Sequence, residues 1–420
     1  MKRKNELSVY TLLYIYMRKL LFIPIFFCAL MLSAQGVFQW RGDRSGVYNE
    51  TGLLTSWPAN GPKLLWHYDG LGEGFTSVAI ADEKIYLTGL TGDKGYLYVL
   101  DMKGNLLSKK AYGTEWNRNH DGSRSTVAIN EGKLYVYSGT GNLICLNQNT
   151  LDVIWKKNIE TDFDGKNIMW GVNESSLIVD DKIILTPGGK KHNMVALNKN
   201  DGLLIWSCPA DGDASSYCSP LYIADGQVVP QVVTMMASHI VGVDISNGQK
   251  LWSYKYENFR KIHPNTPLYS DNMLLCTSGY GKGSVMLRLT NGGRSVEKVW
   301  ETKELETKHG GIVKIGDYVY GSGDDKKFWY CLEWNTGKTK YADKSLGVGV
   351  TIAADGMLYC YSEKGDMALV KQNPEKFEII SKFPVKLGTG PHWAHPVIHN
   401  GVLYVRHGNT LMAYQLKVES

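Results

Sequence analysis

The apolar positions of this chain fall in short runs broken by Asp, Asn and Gly, and helix-forming periodicity is nearly absent. Runs of that kind between tight-turn residues predict short strands joined as antiparallel hairpins. One stretch shows the unit. A first strand, Ser125 to Ile129, leads through Asn130-Glu131-Gly132 into a second, Lys133 to Tyr137. A third follows at Asn142 to Asn147, and a fourth, Val153 to Lys157, carries Trp155. Four strands joined this way form one meander sheet.

The unit recurs. Its second strand is marked by Tyr86, Tyr135, Ile184, Val229, Leu275, Tyr320, Tyr359 and Tyr404, at spacings of 49, 49, 45, 46, 45, 39 and 45 residues. Eight copies at the period of a four-stranded blade predict an all-β fold, an eight-bladed β-propeller of antiparallel blades. Such a chain can reach 420 residues because each blade packs only on its neighbours. The fourth-strand Trp recurs at Trp66, Trp155, Trp206, Trp252 and Trp300, where a large ring can be buried between adjacent blades. Ser108 and Tyr341 take that place in two units, and the seventh unit is the most diverged.

The two ends of the repeat fit together. The last unit stops after its third strand, Thr410 to Leu416. An orphan strand of the fourth type, Lys63 to Tyr68 with Trp66, precedes the first complete unit. We expect it to complete the eighth blade, which removes the exposed sheet edge.

Ahead of the repeat, Arg18 and Lys19 precede an apolar run from Leu20 to Leu32, followed by Ser33-Ala34. This is the pattern of a secretory signal peptide, expected over residues 1–34, with Met17 a candidate true start. The run is short for a membrane span, and Pro24 interrupts it. An uncleaved anchor from Leu7 to Leu32 is the alternative, but the two charges break it; Phe27 before Cys28 is too bulky for a typical lipobox. The mature chain, 35–420, is expected in the periplasm or outside the cell, with no transmembrane span. The signal segment holds five basic residues against Glu6, so of the whole-chain charge of +5 only +1 remains. A nucleic-acid partner needs a basic field that is missing here. Beyond Cys28 there are six cysteines, none adjacent and none in a C-x-x-C pair, which excludes attached haem and the usual zinc spacings. Most fall within strand patterns as small buried thiols; one or two disulfides stay open, with no pairing assigned.

In a propeller the loops that feed the first strands form one rim of a central funnel. Here those loops carry Glu73 and Phe75, His120, Asp121 and Arg124, Trp170, Asn173 and Glu174, Ser216 and Tyr217, His263 and Asn265, Lys308 and His309, then Trp393 and His395. The candidate ligand-binding set is Arg124, Trp170, Asn173, Glu174, Tyr217, His263, His309, Trp393 and His395. The competing role for these groups is to hydrogen-bond to one another and pin the loops. Exposed rim aromatics beside Arg, Asn and Glu also suit carbohydrate, although the same rings can pack between blades. His263, His309 and His395 come from three blades and could converge on a metal, but no short spacing supports one, and none is assigned. No Gly-x-Ser-x-Gly elbow is present. Arg41-Gly42-Asp43 reads as part of a turn, not as an adhesion tripeptide.

The repeat resembles the pyrroloquinoline-quinone-type (PQQ-like) propeller repeat, Asp then Gly then Trp four residues on, seen in Asp244–Gly248–Trp252 and nearly so in Asn198–Gly202–Trp206. More closely, the chain resembles secreted bacterial PQQ-binding-like propeller proteins. The matching stretches are Trp40-Arg41-Gly42, Ser123-Arg124-Ser125-Thr126, Met169-Trp170-Gly171, Ser278-Gly279-Tyr280-Gly281, His309-Gly310-Gly311 and Trp393-Ala394-His395-Pro396. The resemblance implies the propeller fold. It also implies one of two roles: a binding or assembly module of the cell envelope, or a quinoprotein alcohol or sugar dehydrogenase. Enzymes of that class hold PQQ against a Trp and an adjacent-Cys disulfide, bind Ca²⁺ through carboxylate and amide oxygens, and use an Asp base. Trp170 and the Asn173–Glu174 pair could imitate parts of this, but no adjacent Cys pair and no evident base Asp accompany them. The expected protein is therefore a monomeric binding module whose rim takes a small molecule, a glycan or an envelope protein.

Overall fold

The computed structural model describes residues 36–417. The expected signal segment, residues 1–34, lies outside the described residues. Those residues form eight four-stranded antiparallel sheets, one of them carrying a fifth strand. Blades 1 to 7 span residues 79–114, 128–158, 177–208, 221–255, 268–302, 313–343 and 349–384. Blade 8 joins residues 397–415 to Leu64–Tyr68, with Trp66 opposite Ala413. The ring is closed by the N-terminal strand.

Two strand assignments need correction. Val229 lies ahead of the second strand of blade 4, which is Gln231–Met235. The residue that faces Leu221 is Val233, as Tyr135 faces Ala128 and Ile184 faces Leu177. Val228-Val229 mimics a strand start, but Pro230 has no amide hydrogen to give the ladder, and pairing begins after it. The first strand of blade 2 is also shorter than Ser125 to Ile129: it is Ala128–Asn130. The preceding backbone turns to the neighbouring blade, where Thr126 N–H donates to Ser175 Oγ at 3.1 Å.

The repeat motif has a geometric cause. In all eight blades the fourth strand bulges just before the Trp position. The Trp155 ring lies over Gly202 of the next blade, where an added Cβ would come within 2.8 Å of it, and its Nε1 donates to the Lys199 carbonyl at 3.1 Å. Trp206 lies over Gly248 in the same way and donates to the Ile245 carbonyl at 2.9 Å. The Gly of each motif thus serves the preceding blade's Trp. Where the Trp is missing, another side chain fills the space. Blade 1 has Ser108, and Leu151 replaces the turn glycine of blade 2 and is buried there. Blade 7 has Ser381, and Trp57 arrives from outside the repeat. Its backbone N–H donates to Ser381 Oγ at 2.9 Å, and its ring packs on Phe383 and Tyr359.

Buried apolar side chains cluster between neighbouring blades, and the cluster that joins blades 7, 8 and 1 also takes in Val37, Tyr48, Leu53 and Trp57. These belong to a segment the repeat did not predict. Residues 36–57 cross the ring. Val37 bridges Ile80 of blade 1, and the Phe38 carbonyl accepts from Ile129 of blade 2 at 2.8 Å. Val47–Tyr48 then adds a parallel fifth strand to blade 7 beside Ala353 and Ala354. Between them, Arg41 and Arg44 sit in a tight turn and are buried. Arg41 donates to the carbonyls of Ile312 (2.8 Å) and Thr351 (3.0 Å) and to His395 Nδ1 (2.9 Å), on blades 6, 7 and 8. Arg44 donates to the carbonyls of Ser175 (3.0 Å) and Ser176 (2.8 Å) at blade 3. The segment plugs the channel. Burial lowers both guanidinium pKa values to about 10, which leaves them charged at neutral pH.

Replacing Arg41 by Ala strands acceptors on three blades, each an unsatisfied buried group. The expected loss is about 2–4 kcal/mol of folding stability. It is read from the urea midpoint, and an unchanged midpoint would show that the plug does not hold the ring.

Candidate functional site

The plug gives the funnel a floor. Above it lies a cavity of about 290 Å³ lined by residues from the plug and from seven blades or the loops that feed them, among them Trp40, Phe75, His120, Asn173, Ser219, Pro264, Tyr280 and Lys308. Seven of the nine candidate residues line it: Arg124, Trp170, Asn173, Tyr217, His309, Trp393 and His395. Glu174 and His263 do not.

Trp393 is the hub. Its ring stacks on His309 at 5.1 Å and meets Phe75 and His120, each at 5.1 Å. Trp170 continues the wall, 6.2 Å from His120 and 6.0 Å from Tyr217. Arg124 staples this wall from behind. Its Nε donates to the Trp170 carbonyl at 2.6 Å, and its Nη atoms donate to the carbonyls of Gly122 and His120. Tyr217 hydroxyl accepts from the Trp170 N–H at 3.0 Å. The guanidinium also lies 5.7 Å from the Phe75 ring centre, a cation–π contact. Burial lowers its pKa to about 10, so it stays charged. Lys308 faces Tyr280 similarly at 5.2 Å.

The floor histidine has a defined tautomer. Arg41 can only donate, so His395 Nδ1 accepts and Nε2–H donates to the His309 carbonyl at 2.9 Å. Burial, with Arg41 adding to it, lowers its pKa to about 3. His309 Nδ1 is 2.7 Å from Glu363 Oε1. Burial raises the Glu363 carboxyl, but His309 outweighs it, and the net shift is downward.

Glu174 and His263 are turned elsewhere. The Glu174 carboxylate accepts from Thr186 N–H at 3.0 Å and from the Thr186 hydroxyl, and burial pushes its pKa up to about 7. His263 is fully buried, with Nδ1 2.8 Å from Ser278 Oγ and Nε2 3.3 Å from the Ala237 carbonyl. Burial lowers it to about 4. His263, His309 and His395 do not converge on one point: His395 reaches His309 only through its backbone. Sequence reasoning left Trp40 and Tyr280 out of the candidate set, although both stand in the stretches that carry the family resemblance.

A family model described as outer membrane protein assembly factor BamB matches residues 93–343. The chain belongs to that family. No protein of curated function matches it. Among solved structures it is similar to BamB from Moraxella catarrhalis, at 16% identity and a TM-score of 0.63, covering 84% of this chain and all of that one. It is also similar to the quinohemoprotein alcohol dehydrogenase from Comamonas testosteroni, at 11% identity and a TM-score of 0.68, covering 92% of this chain and 81% of that one. A europium-containing methanol dehydrogenase aligns at 13% identity and a TM-score of 0.61, over 89% of this chain and 90% of that one. At these identities the likeness to the solved structures shows the fold.

The dehydrogenase likeness raises a PQQ–Ca²⁺ pair, which the site can be tested against. Aromatic walls with Arg124 and Lys308 match a planar anion. The metal is not matched. No Asp or Glu lines the cavity, Asn173 offers one amide oxygen, and Glu174 is committed to Thr186. Ca²⁺ needs six to eight oxygen ligands. The six described cysteines are buried free thiols. The residues present do not fit the pair in this BamB-family chain.

The histidines set a pH response. An unfolded His titrates near 6.5, whereas His395 and His263 hold out to about 3 and about 4. Their contribution to stability is full above about pH 6.5 and is lost as pH falls toward those values. Glu174 acts in the opposite sense, losing its contribution as pH rises from about 4.5 through about 7. We expect the His395 and His263 ring resonances to stay neutral from pH 7 to 5 by NMR. Glu174→Gln should gain stability relative to wild type as pH rises from about 5 to 8, read from urea midpoints. Imidazole titration near pH 6.5 in the fold would contradict the assigned burial.

Proposed function

We propose that this BamB-family propeller is an exported binding module of the cell envelope, which seats an apolar or aromatic side chain of a partner protein in the funnel cavity. The observation that carries the reading is a closed-bottomed aromatic cavity with apolar residues standing free at its mouth. Met169 is 63% exposed and Phe259 76%, on loops beside Trp170 and Tyr280. A rigid aromatic pocket with an apolar rim is the form taken by the central anchor site of a protein interface. The family description, an outer membrane assembly factor, agrees with a protein partner. No helix among the described residues is long and apolar enough to cross a membrane.

A second reading, a quinone-dependent dehydrogenase, has the aromatic walls and two cations in its favour. It lacks the oxygen donors that Ca²⁺ requires and a carboxylate base in the cavity lining.

Site-specific photocrosslinking in cells separates the two. A photoreactive residue at Met169 should give a discrete protein adduct. One at Thr150, on a turn at the opposite end of blade 2, should give none. Trp393→Ala should abolish the adduct while leaving the melting temperature within a few degrees. Absence of an adduct, together with dye-coupled alcohol oxidation by purified protein given PQQ and Ca²⁺, would replace the binding reading with the enzymatic one. A glycan ligand would likewise leave no protein adduct.

A further inference from the structure

We propose that His309, Asp324 and Glu363 form a zinc site in the cavity wall, between blades 6 and 7. The three come from separate segments. His309 lies on the loop that feeds Val313–Ile315, Asp324 directly follows the strand Tyr318–Gly323, and Glu363 directly follows Met357–Ser362. One potential ligand atom from each lies within 4.8 Å of the other two. No spacing in the chain announces this, because the contacts cross two blades.

The His309–Glu363 pair alone would be an ordinary ion pair. Asp324 is what that pair leaves unexplained. It is 4% exposed, and the only hydrogen bond to its carboxylate among the described residues comes from the Lys308 N–H to Oδ2, at 2.5 Å. A buried carboxylate is expensive without a partner of opposite charge. Here its charged neighbours are a second carboxylate, one imidazole that already faces Glu363, and the Lys308 ammonium, which lies over the Tyr280 ring at 5.2 Å. Two carboxylates and a neutral imidazole balance a divalent cation. The ion would take the place of the proton between His309 Nδ1 and Glu363 Oε1, and the neutral ring then carries its one proton on Nε2.

The donor set selects the metal. An imidazole nitrogen argues against Ca²⁺ and Mg²⁺, which take oxygen, and the absence of thiolate argues against Cu(I). One nitrogen and two carboxylate oxygens suit Zn²⁺, whose three-ligand sites keep a fourth position for water or substrate. His309 lines the cavity, stacked on Trp393, so an ion held there would place a Lewis acid in the wall of the pocket. This site is independent of the protein-partner reading: either can fail without the other.

The test uses the full chain purified after export, stripped with chelator and titrated with ZnCl₂ by calorimetry. We expect one Zn²⁺ per chain. Asp324→Asn and Glu363→Gln should each weaken binding by at least about tenfold. His67→Ala removes an exposed His that pairs with Asp69, and it should bind as wild type does. Co²⁺ in place of Zn²⁺ should give a four-coordinate d–d absorption that is lost in Asp324→Asn. Melting curves of both variants show that they are folded. No binding by the wild type, or wild-type affinity in Asp324→Asn and Glu363→Gln, overturns the site and leaves an adventitious ion only.

Discussion

A ring of eight blades has an open axis, and first-strand carbonyls line it. Ring side chains supply some donors there, as Thr266 does to the Ser219 carbonyl, but the carbonyls of Ile312, Thr351, Ser175 and Ser176 take theirs from the plug. Arg41 and Arg44 supply them, reaching blades 6, 7 and 8 on one side and blade 3 on the other. Guanidinium suits this place, because it carries five donors in a planar fork and keeps its charge when buried. The same segment supplies Val37, Tyr48, Leu53 and Trp57 to the core where the chain ends meet. The segment that fills the axis and floors the cavity thus also packs into the core beside the closing strand.

The blade interfaces obey a simpler rule, which is volume. A tryptophan of one blade needs a glycine bed on the next, and the motif repeats because each blade is both donor and receiver. The departures follow the same rule. Ser108 is answered by Leu151, and Ser381 by Trp57. A small residue at the Trp position would leave a cavity, and a cavity is costly in proportion to its volume. The divergence of blades 1 and 7 in sequence is thus compensated in space.

The funnel inherits its character from the plug. With the axis closed below by Trp40 and His395, the rim loops enclose a pocket instead of a pore. Most polar groups around it are already engaged. Arg124 spends its donors on backbone carbonyls, and His395 is fixed between Arg41 and His309. What remains available is aromatic surface, the Lys308 ammonium and the His309 cluster. That inventory favours capture of an apolar group over acid–base chemistry on a bound substrate.

The sequence by itself determined the repeat and therefore the blades, the number of units and the closing strand. Those rest on local hairpins and on a motif only a few residues long, where spacing along the chain equals spacing in the sheet. The error at Val229 arose at that level too, from a proline whose missing donor shifts the start of pairing. Rim loops were legible as a set, since one loop per blade must meet at the axis. Which of their side chains face inward was not. Glu174 and Asn173 are neighbours in sequence, yet one is bound to Thr186 and the other lines the cavity. The role of Arg41, read as part of a turn, and the meeting of His309 with Asp324 and Glu363 were decided only by the tertiary structure. In both cases the partners lie on different blades, and contacts that cross blades leave no period in the chain.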